Sequence, residues 1–313
     1  MASTIELITP IHDPNQIKVG DRTVAFMQSQ TKLDDEGKDI VIEEAMKILS
    51  HCVPPGHNAN ITNIAVGYVQ SGKTLSFTTL TALAADNGYR IVVYLTGTKN
   101  NLQTQTSERL RNDLKVDEED NYIIVDANEE AIALDNYIRN ILEMGSEVLL
   151  FPILKHYVHI NRLAETFKTP VLASMLAHYG VLIIDDEADQ SSFNTYAKKN
   201  ASNPEWVEDD FSKTYESILN LKQALPCHSY IQYTATPQAA FLIDSNDILS
   251  PKYHTVLTPG KGYTGGKFFF KNKDFSLVSI IPDEEIYHHK DNPLSAVPNS
   301  LLDALREFFL SIA

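Results

Sequence analysis

Eight consecutive residues carry the clearest chemical signal in the chain. Gly67 to Thr74 read Gly-Tyr-Val-Gln-Ser-Gly-Lys-Thr, which fits the phosphate-binding pattern G-x-x-x-x-G-K-[ST]. In such a loop the backbone N–H groups and the start of the following helix face the phosphates, while Lys73 adds a positive charge. Thr74 offers its hydroxyl to a magnesium ion. The predicted nucleotide-binding residues are Gly67, Gln70, Ser71, Gly72, Lys73 and Thr74.

The segments on either side of this loop match the setting that the motif requires. An apolar run from Ile61 to Val66 precedes the loop and predicts a buried strand. A helical pattern from Thr74 to Ala85 follows, and Gly88 provides a stop signal. A chance match in a turn would lack both flanks, so the sequence predicts binding of a nucleoside triphosphate, ATP, together with Mg²⁺.

A second motif places carboxylates at the end of another apolar strand. Val181 to Asp189 read Val-Leu-Ile-Ile-Asp-Asp-Glu-Ala-Asp. A P-loop enzyme needs such carboxylates at the end of the neighbouring strand, where an Asp holds magnesium and a Glu orients or deprotonates the attacking water. The spelling Asp-Glu-Ala-Asp assigns Asp186 to the metal and Glu187 to general base, and leaves Asp185 ambiguous. An acidic strand exit without chemistry is the alternative, which the P-loop disfavours.

A third short motif completes an ordered set. Tyr230 to Pro237 read Tyr-Ile-Gln-Tyr-Thr-Ala-Thr-Pro, a strand that ends in Thr-Ala-Thr. A P-loop, Asp-Glu-Ala-Asp and Thr-Ala-Thr-Pro in this order resemble motifs one, two and three of superfamily-two helicases and translocases. The resemblance implies that Thr234 and Thr236 couple the nucleotide state to the nucleic-acid path.

Further stretches narrow the resemblance. The segment from Asp86 to Thr106, the segment from Leu257 to Gly266 and the Val-Gln-Ser-Gly-Lys-Thr form of the P-loop resemble bacterial helicase-like proteins associated with the Z-one domain. That family belongs to an endonuclease-linked group in restriction-like and phage-defence gene clusters. The similarity runs from about residue 60 to the end. Gln70 stands where ordinary superfamily-two loops have Gly, which implies a different backbone path there.

Several polar residues have two open interpretations. Lys155 follows an apolar strand, where the resemblance implies a nucleic-acid contact, and a solvated lysine at a strand end is the alternative. Gln103 and Gln105 are either phosphate donors at a helix start or exposed polar residues. Gln28 and Gln30 resemble the upstream glutamines that reach adenine in related enzymes, although nothing in the sequence distinguishes between them.

Composition limits the class of protein. The chain has 313 residues, 43% of them hydrophobic, which is enough for a packed core. Cys52 and Cys227 do not form a disulfide framework or a metal pattern. No membrane span or secretion signal is evident, so we expect a cytoplasmic protein without membrane partners. The net charge of −15 argues against tight binding of DNA by an open surface, but leaves room for a locally basic groove.

Strands and helices alternate from Ile61 onward, which predicts an α/β fold. We expect a RecA-like P-loop lobe with a mostly parallel sheet, helices on both faces and an N-terminal helical segment. The predicted boundaries are an N-terminal helical extension over 1–55 and an ATPase lobe over 56–290, with an insertion at about 190–225. Residues 291–313 are expected to begin a truncated second lobe.

The absence of a second predicted sheet affects the expected activity. Superfamily-two motors take arginine fingers from a second RecA-like lobe, so we expect this chain alone to hydrolyse ATP poorly. The leading hypothesis is an ATPase lobe of a helicase or translocase that acts on nucleic acid, with DNA as the expected substrate and nuclease or other defence-system subunits as partners. The alternative is an ATP-gated switch or scaffold that controls protein assembly without unwinding.

Overall fold

The computed structural model of the chain describes residues 10–69, 72–118, 121–127, 130–190, 192, 212–241, 247–271, 279–286 and 297–311. The chain divides into two compact units, Met1–Lys261 and Gly262–Ala313. This division does not coincide with the predicted boundaries at 55/56 and 290/291. Much of the predicted insertion, 193–211, lies outside the described residues. No described helix is long and apolar enough to cross a membrane.

The first unit is built on one seven-stranded sheet. Its strands in chain order are β1 (Asn60–Val66), β2 (Tyr89–Thr96), β3 (Tyr122–Ile124), β4 (Val148–Leu154), β5 (Gly180–Asp186), β6 (His228–Thr234) and β7 (Tyr253–Val256). They lie in the order β3-β4-β2-β5-β6-β1-β7, and every neighbouring pair is parallel. The strands predicted before the P-loop, at the acidic motif and before Thr-Ala-Thr are therefore present as β1, β5 and β6.

Helices connect these parallel strands. In the first unit they are α1 (Asp21–Ser29), α2 (Asp35–Ser50), α3 (Lys73–Asp86), α4 (Asn100–Asp113), α5 (Ala131–Met144), α6 (Tyr157–Phe167), α7 (Pro170–Leu176), α8 (Lys213–Ala224) and α9 (Gln238–Phe241). A parallel pair of strands needs such crossovers because the chain must return to the starting edge of the sheet.

The helices form two layers, one on each face of the sheet. Alternate residues of β2 point in opposite directions: Val92 and Tyr94 join a core with α1 to α4, while Ile91 and Val93 join a core with α5 to α8. This alternation follows from the two-residue period of a strand, and the near-continuous apolar runs follow from burial on both faces. The predicted α/β architecture with helices on both faces is confirmed.

The N-terminal helices belong to the same core. Phe26 of α1 and Leu49 of α2 pack in the cluster that also contains Phe77 of α3. The start of α1 has no side-chain cap from its own N-cap residue; instead Asp86 accepts hydrogen bonds from the backbone N–H groups of Gly20 and Thr23 at 2.9 and 3.0 Å. The sequence analysis missed α1, because the capping carboxylate is more than sixty residues away in sequence.

The second unit contains short helical elements. Its helices are α10 (Gly266–Lys271) and α11 (Asn299–Ser311), and Glu285 accepts a hydrogen bond from the N–H of Ser300 at 2.9 Å. Phe268, Phe269 and Phe270 of α10 are exposed in the described structure, at 40%, 47% and 76%.

Candidate nucleotide site

The turn from β1 into α3 shapes the predicted phosphate loop. The N–H of Gly67 donates to the carbonyl of Thr234 at 3.0 Å, so the loop leaves the sheet beside the end of β6. Gly72 is the N-cap of α3 and has φ +99°, a conformation that strains any residue with a Cβ. The first turn of α3 therefore begins at a position whose backbone conformation requires glycine. Gln70 and Ser71 lie outside the described residues.

One pocket of about 620 Å³ lies over this turn. It brings together residues that the sequence predicted from two separate motifs, since Gly72, Lys73 and Thr74 share its wall with Asp186 and Glu187. The volume falls within the usual range for small-molecule sites. The remaining lining residues are Gln30, Leu75, Gly97, Leu102, Gln105, Thr106, Arg109 and Asp113.

The polar ends of the P-loop side chains have local partners. The Lys73 ammonium donates to the carbonyl of Tyr68 at 3.3 Å, so it folds back along its own loop. The Thr74 hydroxyl oxygen accepts from the Arg109 guanidinium at 3.2 Å, and both groups are on the exposed side of the pocket. Lys73 and Thr74, the two predicted phosphate-site side chains, therefore both line the pocket, and a ligand can replace their exposed hydrogen bonds.

The two consecutive aspartates at the end of β5 have different environments. Asp185 is fully buried; it pairs with the Lys155 ammonium at 2.6 Å and accepts a hydrogen bond from the Tyr230 hydroxyl. Asp186 lines the pocket, because successive side chains of a strand point to opposite faces. Asp185, left ambiguous by the sequence, thus has its carboxylate engaged inside the protein, whereas Asp186 faces the pocket.

Burial and charge both act on Asp186. Desolvation is the largest cause that raises the pKa of its carboxyl, and the nearby Glu187 carboxylate raises it further. The positive charges of Lys155 and Lys73 oppose that rise. A divalent cation would relieve the repulsion between the two carboxylates, so this pair suits a metal site.

The backbone at Glu187 is strained. Glu187 has φ +52°, in the left-handed region that few residues other than Gly, Asn and Asp adopt. Neighbouring hydrogen bonds hold this conformation: the Asp186 carboxylate accepts from the N–H of Glu187 at 3.1 Å, and the N–H of Ala188 donates to the Tyr233 carbonyl at 3.0 Å. Strain of this kind is concentrated at functional sites, which agrees with a chemical role for this turn.

The strand order corrects one expectation. The sequence analysis placed the acidic motif on the strand next to the P-loop strand, but β6 lies between β1 and β5. Thr234 and Thr236 at the end of β6 consequently stand between the two motifs. Their hydroxyls each donate to the Asp189 carboxylate at 2.6 Å.

Asp189 is a functional candidate that sequence reasoning passed over. Burial tends to raise the pKa of this carboxyl, yet the hydrogen bonds from Thr234 and Thr236 outweigh it and hold the pKa below its ordinary value. The available signal was its position as the last residue of Asp-Glu-Ala-Asp. The bonds join the acidic motif directly to the Thr-Ala-Thr motif.

The structure gives Lys155 a role that differs from the expected nucleic-acid contact. The side chain is 2% exposed, and its ammonium donates to the carbonyls of Asp186 and Glu187 at 2.7 and 3.0 Å in addition to its pairing with Asp185. A phosphate outside the protein does not reach an ammonium so enclosed. Lys155 instead stabilises the acidic turn through these buried hydrogen bonds.

The two glutamines of α4 separate into different environments. The Gln103 amide donates to the carbonyl of Pro152 at 2.9 Å, which ties α4 to β4 and commits this donor to the protein. Gln105 lines the pocket, so it remains a candidate for contact with a ligand. The suggested adenine contact Gln30 also lines the pocket, whereas Gln28 does not.

Arg109 and Asp113 are pocket residues that the sequence analysis did not name. They lie four residues apart on α4, in line with Gln105, so one face of the helix covers the pocket. The sequence signal that could have identified them is this four-residue spacing on a helix whose Leu110 faces the core. It is visible only after α4 is known to cross the P-loop.

The described residues hold no ready-made metal cluster. No group of three or more His, Cys, Asp or Glu side chains among them could hold a metal ion. Mg²⁺ does not need one, because it is commonly bound by one or two carboxylates, a hydroxyl and phosphate oxygens of a nucleotide. Thr74 and Asp186 in one pocket fit that donor set.

Comparison with known proteins gives only distant similarity. No protein-family model matches the sequence, and no curated protein matches it. The Pyrococcus furiosus Hef helicase domain is 16% identical, with a TM-score of 0.37 over 63% of this chain and 34% of that one. The DUF1998 helicase MrfA is 15% identical, with a TM-score of 0.43 over 78% and 33%. The chain spans about a third of each structure, and the fold assignment depends on its own sheet.

Proposed function

We propose that this chain is the ATP-binding and ATP-hydrolysing lobe of a superfamily-two-like motor that acts on nucleic acid. The observation that carries the proposal is the shared pocket, in which Lys73 and Thr74 of the P-loop face Asp186 and Glu187 of the acidic turn. Two motifs that are more than a hundred residues apart in sequence meet there with the residue types that phosphoryl transfer needs.

In this proposal the P-loop binds the phosphates. Backbone N–H groups of the loop donate to the phosphate oxygens, and the N-terminus of α3 adds its partial positive charge. Gln70 and Ser71 stay predicted binding residues on the sequence motif alone. The Lys73 ammonium exchanges the Tyr68 carbonyl for a phosphate oxygen. That exchange is favourable because a hydrogen bond between two charged groups is stronger than one to a neutral carbonyl.

Thr74 and Asp186 would hold magnesium, and Glu187 would act on water. When bound, magnesium neutralises charge on the β- and γ-phosphate oxygens. Asp186 is suited to this because a cation favours its ionised form against the burial that raises its pKa. Glu187, fixed by the strained turn, orients or deprotonates the water.

The link from Asp189 to Thr234 and Thr236 supports a coupling role. A change at the acidic turn is transmitted to the end of β6 through two hydroxyl bonds of 2.6 Å. We propose that β6 passes this change to a nucleic acid, DNA in the first instance, held with a second RecA-like lobe. The resemblance to Z-one-associated proteins suggests a cytoplasmic bacterial phage-defence or restriction-like system with nuclease subunits.

The net charge of −15 favours one other function, an ATP-gated switch or scaffold that controls protein assembly without unwinding. Both functions require nucleotide binding in the same pocket. They differ in nucleic-acid dependence: a motor hydrolyses ATP faster when DNA or RNA is added, whereas a scaffold changes its assembly state with ATP and ignores nucleic acid.

Calorimetry with Mg–ATP tests the common step. Lys73→Ala should weaken binding by about tenfold or more, because a charged hydrogen bond to the phosphates is lost. Glu187→Gln should keep binding and lower turnover by about a hundredfold or more, since it removes only the base. Lys99→Ala, an exposed lysine before α4, serves as the control. Unchanged affinity in Lys73→Ala would refute the assignment.

A further inference from the structure

The face of α4 over the nucleotide pocket carries one cation. Leu102, Gln105, Thr106, Arg109 and Asp113 recur at three- and four-residue intervals and line the pocket together. Among them only Arg109 is positively charged. On the same helix Arg111 points elsewhere, since its guanidinium pairs with Asp117 outside the pocket.

Arg109 is placed against the P-loop itself. Its guanidinium donates to the Thr74 hydroxyl oxygen at 3.2 Å, and this is the oxygen assigned above to magnesium. A magnesium ion on Thr74 and a guanidinium donor to the same atom would repel each other, because two cations would share one small ligand. Binding of a metal–nucleotide complex must therefore redirect Arg109.

The charges around the pocket determine where Arg109 turns. The lining has two cations, Lys73 and Arg109, and three carboxylates, Asp113, Asp186 and Glu187. The triphosphate brings further negative charge, so the pocket needs both cations when it is filled. The guanidinium is already beside Thr74, which would hold magnesium together with the nucleotide, and its planar donors suit phosphate oxygens.

We propose that Arg109 is a phosphate-binding residue supplied by this same lobe, which leaves Thr74 when Mg–ATP binds and donates to the β- and γ-phosphate oxygens. The proposal rests on the proposed function and adds a residue to it. Asp113, one turn further along α4, interacts electrostatically with Arg109. The lobe thus carries a cation of its own at the phosphate chain, besides Lys73 and any arginine from a second lobe.

The test measures Mg–ATP and AMP affinity by calorimetry for the full chain and three variants. Arg109→Gln should bind Mg–ATP about tenfold more weakly, because a charged hydrogen bond to phosphate is lost, while its AMP affinity stays unchanged. Arg109→Lys should recover part of the loss. Arg111→Gln, on the same helix but outside the pocket, should bind both ligands as the unmodified chain does. Since Arg109 is exposed, all variants should keep the same thermal midpoint.

Three results separate failure of the Arg109 proposal from failure of the proposed function. If Arg109→Gln binds Mg–ATP like Arg111→Gln while Lys73→Ala is weakened, the Arg109 proposal is wrong and the nucleotide site stands. If Arg109→Gln binds Mg–ATP more tightly and at lower Mg²⁺, Arg109 only blocks the metal and the proposal is equally wrong. If the unmodified chain binds no Mg–ATP, both proposals fail.

Discussion

Two buried lysines lie toward opposite ends of the sheet, and their surroundings differ. Lys155 follows β4 at the carboxyl ends of the strands and pairs with the Asp185 carboxylate at 2.6 Å. Lys222 of α8 reaches toward the amino ends, where its ammonium donates to the Thr62 hydroxyl at 2.6 Å and the Ile248 carbonyl at 3.0 Å. One charge has a carboxylate partner in contact, and the other has only neutral partners.

This difference affects what each lysine can do. Desolvation lowers the pKa of Lys222 to about 7, only partly opposed by the more distant Asp247. Burial also lowers the pKa of its neighbour His228, to about 4, with the charge of Lys222 as the second cause. Burial thus disfavours the ionised forms of both groups toward the amino ends, whereas the carboxyl ends hold a buried ion pair beside a pocket. Parallel α/β sheets place ligands outside the carboxyl ends of their strands, which agrees with this division.

The largest expected effect comes from the carboxyl-end lysine. Lys155→Met leaves the Asp185 carboxylate buried without its cation and removes the donor to the acidic turn, so the free energy of unfolding should fall by about 3–5 kcal/mol. Urea denaturation measures this. Adding Asp185→Asn to the same chain should recover part of the loss, because the uncompensated charge is removed.

Lys168 provides the control for that measurement. Its ammonium pairs with Glu165 at 2.9 Å on the exposed face of α6, and exposed pairs contribute little. Lys168→Met should change the free energy of unfolding by less than about 1 kcal/mol. If Lys155→Met lowered the free energy of unfolding no more than this control does, the Lys155–Asp185 ion pair would not be what stabilises the turn.

The amino-end lysine should give a smaller effect that depends on pH. Its folded pKa lies below its unfolded value, so the unfolded chain binds more protons between about pH 7 and the unfolded pKa near 10.4, and stability rises with pH there. From pH 7 to 9 the lysine should contribute about 2 kcal/mol of that rise, and Lys222→Met should lack it.

Lys222→Met also tests directly whether Lys222, unlike Lys155, can be removed without leaving a buried charge unpaired. In the unmodified chain the Thr62 hydroxyl donates to the Ile248 carbonyl at 2.9 Å, and this bond does not depend on Lys222, so few polar groups lose their partner in the variant. Its stability at pH 7 should equal or exceed that of the unmodified chain, and its Mg–ATP affinity should not change. Parallel stability curves for the two proteins from pH 7 to 9 would show that Lys222 keeps its ordinary pKa.

Sequence patterns predicted the parts of this molecule that depend on neighbouring residues in the chain. Strands such as β1, β4 and β5 were visible because each is an apolar run, and the P-loop was visible because its eight residues are contiguous. Helix α1 was missed since Asp86 supplies its cap from the far end of α3. Burial of Lys155 was equally hidden, because its partner Asp185 lies thirty residues away.

The same holds for the nucleotide site: residues in contiguous motifs were predicted, and residues placed by long-range packing were not. Lys73, Thr74, Asp186 and Glu187 were named from motifs, and the structure places all four around one pocket. Arg109 belongs to no motif, and its position depends on how α4 crosses the P-loop. The position of β6 between β1 and β5 was unpredicted as well, because strand order is a property of the sheet and not of any one segment.

The smallest expected effect concerns Asp189, whose contribution to stability rises with pH as that of Lys222 does, but in the acidic range. The Thr234 and Thr236 hydroxyls hold the pKa of Asp189 below its unfolded value, so the stability they provide is present above about pH 4 and is lost as pH falls through the lower folded pKa. Thr234→Val should lower the free energy of unfolding by about 1 kcal/mol at pH 7, the usual contribution of one hydrogen bond, and by less near pH 3. Thr98→Val, at an exposed threonine after β2, is the matched control and should be neutral at both pH values.

Because the bond joins the acidic turn to β6, Thr234→Val should also leave Mg–ATP affinity intact while weakening any stimulation of hydrolysis by nucleic acid. If stimulation persists in full while the 1 kcal/mol loss is observed, the Thr234–Asp189 bond only stabilises the carboxyl end of the sheet, and the coupling must run through other contacts.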